Sequence, residues 1–130
     1  MNTLKACPTM PYHDSRRPFV KWWYASSEGN HVKDFVRTIR EEQQDLLEEE
    51  GGACIMYSHL AKDFFVNGQL DKRFEKLMKR LADKGGWFVP VGVLLDFLKS
   101  QAVGGEALSL RERNRLQMAW LKTKLTRGSS

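Results

Sequence analysis

The sequence predicts a mixed α/β protein of one domain, and three observations predict it. Apolar residues recur at helical spacing over four stretches, starting near His31, Asp71, Pro90 and Ser109. Between them lie two short, nearly continuous apolar runs, Ala53–Ser58 and Trp87–Val89, bounded by glycine or proline. The chain has 130 residues, 42% hydrophobic and 28% charged, which suffices for one modest core.

Residues 1–29 carry no periodicity and form an irregular, aromatic-rich segment. They hold Pro8, Pro11 and Pro18, then Phe19-Val20-Lys21-Trp22-Trp23-Tyr24. So large an aromatic group has to be covered, by this chain or by another. It reads as a loop or short strand packed on the body, with a ligand or partner surface as the alternative.

The first helix is expected over His31–Glu50, with Asn30 as N-cap and Gly51 in the left-handed position after its end. Val32, Phe35, Val36, Ile39, Leu46 and Leu47 make its apolar stripe. Glu48, Glu49 and Glu50 oppose the helix dipole, which calls for a solvated end or a basic neighbour. Ala53–Ser58 reads as a strand buried on both faces. A loop with an Asn67-Gly68 turn signal follows. Asp71 caps the next helix, whose stripe is Phe74, Leu77, Met78 and Leu81 and whose end is Gly85.

Trp87-Phe88-Val89 is the second expected strand. Pro90 then opens a helix carrying Val93, Leu94, Phe97 and Leu98. Gly104-Gly105 breaks the chain before Ser109-Leu110-Arg111-Glu112, a capping box. The last helix has Leu116, Ala119, Trp120 and Leu125 on an apolar side, Lys122, Lys124 and Arg127 near its end, and Gly128 closing it. The domain is thus 30–126, with 127–130 as a tail. The order is helix, strand, helix, strand, helix, helix, with room for a third strand near Phe19–Tyr24. So few parallel strands leave bare edges, as at the end of a larger α/β fold.

Composition narrows the function classes. The net charge of +5 is spread along helices among acidic residues, which disfavours nucleic acid as a partner. Two cysteines, Cys7 and Cys54, make neither a disulfide framework nor a zinc motif. There is no signal-peptide pattern and no window of ~18 apolar residues, so the expectation is a cytoplasmic protein without a membrane partner. Met56, Met78 and Met118 read as core filler, and His13-Asp14 as an exposed loop pair.

The stretch from Gly51-Gly52-Ala53-Cys54-Ile55-Met56-Tyr57-Ser58-His59 through Trp87-Phe88-Val89-Pro90 to Leu98 resembles the C-terminal part of polysaccharide deacetylase-like proteins, the NodB-homology group. The resemblance spans roughly residues 16–125 and is densest over 51–98. It implies a C-terminal fragment of a distorted (β/α) barrel and a hydrolase that removes acetyl groups from sugars. It implies that His59 protonates the leaving amine and that Ile55 and Tyr57 help wall the acetyl pocket; Trp22 and Trp23 of the aromatic run are the further candidates for substrate binding. Tyr57 stands where leucine is more usual in the group.

The group's complete domain uses zinc or another divalent metal. Its Thr-Phe-Asp-Asp-Gly and His-x-x-x-His motifs are both missing here, since the histidines are His13, His31 and His59. The resemblance therefore implies no cofactor held by this chain and no hydrolysis by it alone. The implied partners are an acetylated sugar or polysaccharide, and the N-terminal barrel half or a second copy. The alternative is a small non-catalytic interaction module that docks through Trp22–Tyr24.

Overall fold

The computed structural model describes Met1, Thr3, 11–101 and 107–127, and everything below concerns these residues. The readings at Cys7, Pro8, Gly104-Gly105 and Gly128, and the side chains of Lys124 and Arg127, lie outside them. The fold is mixed α/β and open: five helices and two small two-stranded sheets, with no closed barrel among the described residues.

The first strand is β1, Ser27–Gly29, inside the segment expected to be irregular and just after the aromatic run where a third strand had room. It pairs in parallel with β2, Met56–Ser58, in the register Ser27 to Met56, Glu28 to Tyr57 and Gly29 to Ser58. Gly29 allows a close approach: a Cβ there would lie 2.7 Å from the Phe35 ring and 2.9 Å from Met56 Cε. A larger residue would have to displace the Phe35 ring and the Met56 tip and would crowd the Tyr57 carbonyl at 3.1 Å.

The single helix expected over His31–Glu50 is two, α1 (Val32–Thr38) and α2 (Glu41–Glu50). The reason is the gap in the apolar stripe. Between Ile39 and Leu46 there is no apolar residue, so one straight helix has nothing to bury over Arg40–Asp45. Gln44 secures the break from within the core: it is buried, and its amide donates to the carbonyls of Ile39 (2.8 Å) and Leu77 (3.0 Å). Asn30 is not the N-cap. His31 occupies that place without a side-chain cap bond, and Asn30 accepts from Lys62 Nζ instead. Gly51 does take the left-handed conformation at the end of α2, with φ of 57°.

The run Ala53–Ser58 is not a strand buried on both faces. Only Met56–Ser58 pairs, and Tyr57 is 47% exposed, because β1 is its one ladder neighbour and the packed helices cover one side only. The Asn67-Gly68 signal makes a hairpin between β3 (Phe65–Val66) and β4 (Gln69–Leu70), with φ of 52° and 76° at the two turn residues. This is the geometry that suits a two-residue turn between twisted strands.

Helix α3, Lys72–Asp83, starts under the Asp71 side chain, which accepts from the Phe74 amide at 2.7 Å. Leu77 from α3 is fully buried against Val32, Phe35, Ile39 and Phe64, with Val36, Met56, Phe74 and Met78 around them. This cluster is the core, and it belongs to α1, β2, the hairpin approach and α3. Leu46 is not part of it and lies exposed on α2.

Charged groups join α2 to α3 on the outside. Arg73 grips Glu41 with both guanidinium nitrogens, at 2.7 Å and 2.5 Å. Arg80 reaches Asp45 at 2.7 Å, and Lys84 meets both Asp45 and Glu48. Lys84 is the basic neighbour that the acidic end of α2 requires. The Arg73 hydrogen bonds hold the Glu41 carboxyl down from its ordinary 4.5 to about 2. A carboxylate depressed in the folded state adds stability that is complete above 4.5 and is lost as pH falls toward about 2. Glu41→Gln should therefore flatten the fall of the thermal midpoint across that acid window; an unchanged slope would remove Glu41 as its source.

Trp87-Phe88-Val89 forms no regular element and has no ladder partner among the described residues, so the second predicted strand is not formed. Pro90 lacks a donor and ends the run after three residues, and Trp87 instead packs edge-on to Phe97 at 5.2 Å. Helix α4 (Val91–Ser100) buries Leu98 and leaves Val93 and Phe97 exposed. Helix α5 (Leu110–Arg127) is capped as expected: Ser109 Oγ donates to Glu112 at 2.7 Å, and the Glu112 amide returns to Ser109 Oγ. Its apolar residues are uncovered, with Met118 64% and Leu125 79% exposed, so Met118 is not core filler.

Candidate functional site

The candidate site is the carboxyl edge of the β1–β2 pair. Two parallel strands end on the same side. Asn30 follows Gly29 at the end of β1, and His59 follows Ser58 at the end of β2. Lys62 lies behind them in the turn that follows β2, with its amide on the His59 carbonyl at 2.9 Å and its Nζ on Asn30 Oδ1 at 2.9 Å. The Lys62 carbonyl accepts from the Val32 amide at 3.3 Å, which ties this turn to the start of α1. Asp63 follows in the left-handed region, φ 63°, with its carboxylate 4.0 Å from His31 Nδ1.

His59 is exposed, and its Nε2 lies 2.7 Å from Tyr57 Oη. The two rings stand edge to face, 5.0 Å apart at 80°. Tyr57 and His59 are two residues apart along an extended run, so their side chains share one face. Ile55 is half-buried at the other end of the run, and its carbonyl accepts from the Ser27 amide at 2.7 Å. The structure thus places Tyr57 and His59 together and leaves Ile55 two to four residues back along the same chain.

Trp22 and Trp23 are held elsewhere. Trp23 forms a backbone bridge with Tyr12, at 2.8 Å and 3.1 Å, and the Arg17 guanidinium lies 5.3 Å over its ring. Trp22 packs edge-on to His13 at 6.5 Å. No hydrogen bond or ring contact joins either tryptophan to His59 among the described residues. Asp14 is buried rather than exposed, because Arg16 and Arg113 flank its carboxylate at 3.6 Å and 3.7 Å. The backbone amide of Arg16 holds that carboxyl below its usual range, helped by the two arginines.

Cys54 lies one residue before Ile55, with Sγ 3.4 Å from Ser27 Oγ. Burial pushes its thiol up, and the Ser27 contact offsets this only in part. A thiol shifted that way is mostly protonated at neutral pH and is a poor nucleophile. A divalent metal would need several convergent donors. No group of three or more His, Cys, Asp or Glu side chains among the described residues is placed to hold one. No helix among them is long and apolar enough to cross a membrane.

Asn30, Lys62 and Asp63 escape a reading based on the run ending at His59. What ties Asn30 in is the Lys62 ammonium, a contact across 32 residues that no local pattern signals. The chain matches no family model, no curated protein and no solved structure.

Proposed function

We propose that this chain is the His59-bearing part of a polysaccharide-deacetylase-like α/β domain that engages N-acetylated sugars. On this reading it is a fragment of a (β/α) barrel, and it hydrolyses nothing alone. The observation that carries the proposal is the position of His59, exposed just past the carboxyl end of the parallel strand β2 with Tyr57 Oη on its Nε2. That end of a parallel sheet is where α/β enzymes gather their chemistry. The β1–β2 pair is parallel, the strand sense that a (β/α) barrel uses.

His59 offers a hydrogen-bonding and proton-carrying imidazole, and Asn30 and Lys62 offer polar groups suited to hydroxyl and acetamido oxygens. The metal and the base of the complete reaction would come from outside the residues described here. A second reading, docking of a partner on the N-terminal aromatic segment, is favoured by Phe19, which is 84% exposed next to the half-covered Trp22.

Titration of the full ¹⁵N-labelled chain with N,N′-diacetylchitobiose separates the two. Shifts are expected at Tyr57, His59 and Asn30, lost in His59→Ala and kept in Trp22→Ala. Shifts lost only in Trp22→Ala would move the site to the aromatic segment, and no shifts at all would sink the sugar reading. Metal-dependent release of acetate by the purified chain would overturn its inactivity.

A further inference from the structure

We infer that Tyr57 sets the tautomer of His59, so that Nδ1 carries the proton and is the nitrogen presented to a ligand. Tyr57 Oη and His59 Nε2 are 2.7 Å apart, the distance of an O–H···N hydrogen bond. A neutral imidazole has one N–H and one lone pair, and the hydrogen bond made by one nitrogen fixes the state of the other. A phenol is a better donor than acceptor, because its ring withdraws the oxygen lone pairs. The phenol O–H therefore donates to Nε2, and the ring proton resides on Nδ1. Free neutral histidine prefers the opposite form, with the proton on Nε2.

The edge-to-face packing of the rings, 80° at 5.0 Å, keeps the phenol oxygen in the imidazole's reach. No hydrogen bond occupies Nδ1 among the described residues. Nδ1–H is thus available to an acceptor oxygen, such as an acetamido carbonyl or a sugar hydroxyl. When the ring is protonated, both nitrogens become donors, and Tyr57 turns its hydroxyl to accept from Nε2–H. Tyr57 is a positioning residue: it acts through His59 and reads the ring's state at one nitrogen only.

The tautomer stands on geometry alone; the ligand given to Nδ1 rests on the deacetylase-like reading. Long-range ¹H–¹⁵N correlation of the histidine rings tests it on the full chain, at about pH 8.5 where an ordinary imidazole is neutral. The wild type should show His59 mostly as Nδ1–H. Tyr57→Phe, which keeps the ring packing, should return it mostly to Nε2–H with the backbone amide spectrum otherwise preserved. An Nε2–H form in the wild type, or one tautomer shared by both proteins, would overturn the inference. The wild-type spectrum decides this even if the variant misfolds. Added N,N′-diacetylchitobiose should move the Nδ1–H signal; an Nδ1–H form indifferent to the sugar removes the ligand assignment and leaves the tautomer standing.

Discussion

Phe64→Ala should lower the urea midpoint of this chain more than any other single truncation considered. Phe64 is fully buried, and its ring meets Phe35 at 5.6 Å and Phe74 at 5.0 Å, both edge to face. Phe35 and Phe74 meet each other at 5.2 Å, so the three rings close a triangle between α1 and α3. Truncation removes one corner and leaves a cavity that the other two rings cannot collapse into. Such changes cost about 3–5 kcal/mol, against about 5–15 kcal/mol of total stability for a typical domain. Phe64→Leu keeps most of the apolar volume and should recover much of the loss. A midpoint within error of the wild type in Phe64→Ala would place the core elsewhere.

Gln44→Leu should be the next most damaging, although it adds an apolar side chain to a buried position. Gln44 makes three side-chain hydrogen bonds: its amide donates to Ile39 and Leu77, and its carbonyl accepts from Arg80 at 3.1 Å. The Ile39 carbonyl lies at the break between α1 and α2, and the amides of Gln43 and Gln44 go to the Arg40 carbonyl instead. An orphaned buried carbonyl together with the lost tie to α3 is worth roughly 2–4 kcal/mol. Thermal unfolding measures this directly. If Gln44→Leu melts with the wild type, the amide is dispensable and the helix break has another cause.

Much of the local structure is legible in the residues themselves. The Asp71 cap, the capping box at Ser109 and Glu112, the left-handed Gly51 and the Asn67-Gly68 turn each depend on a few adjacent residues, and all four form. The core residues of α1 and α3 are likewise read from their spacing. What depends on distant partners is not legible. Ser27-Glu28-Gly29 carries no strand signature, and it becomes β1 only because β2 offers a parallel edge. Trp87–Val89 has the composition of a strand and lacks the edge. The break after Ile39 needs a glutamine five residues on whose amide also reaches α3.

The same limit applies to the site. His59 and Tyr57 lie within one short run, so sequence places both. Lys62 reaches the His59 carbonyl through a turn and Asn30 through its side chain, 32 residues apart, which no local pattern encodes. Trp22 and Trp23 attract notice by composition alone, and the Tyr12–Trp23 bridge commits one of them to the N-terminal segment.

The uncovered apolar residues of α4 and α5 have a thermodynamic consequence. The heat capacity of unfolding comes from apolar surface that passes from dry to wet, at about 12–15 cal/mol/K per residue in an ordinary globular protein. Side chains such as Met118 and Leu125, and about half of Phe97, are already wet in the folded chain and add little to it. Calorimetry should therefore return a heat-capacity increment below that expected for 130 residues, as though a shorter protein were melting. Anything that covers those two helices would raise the increment, so its size reports how much of this surface is engaged.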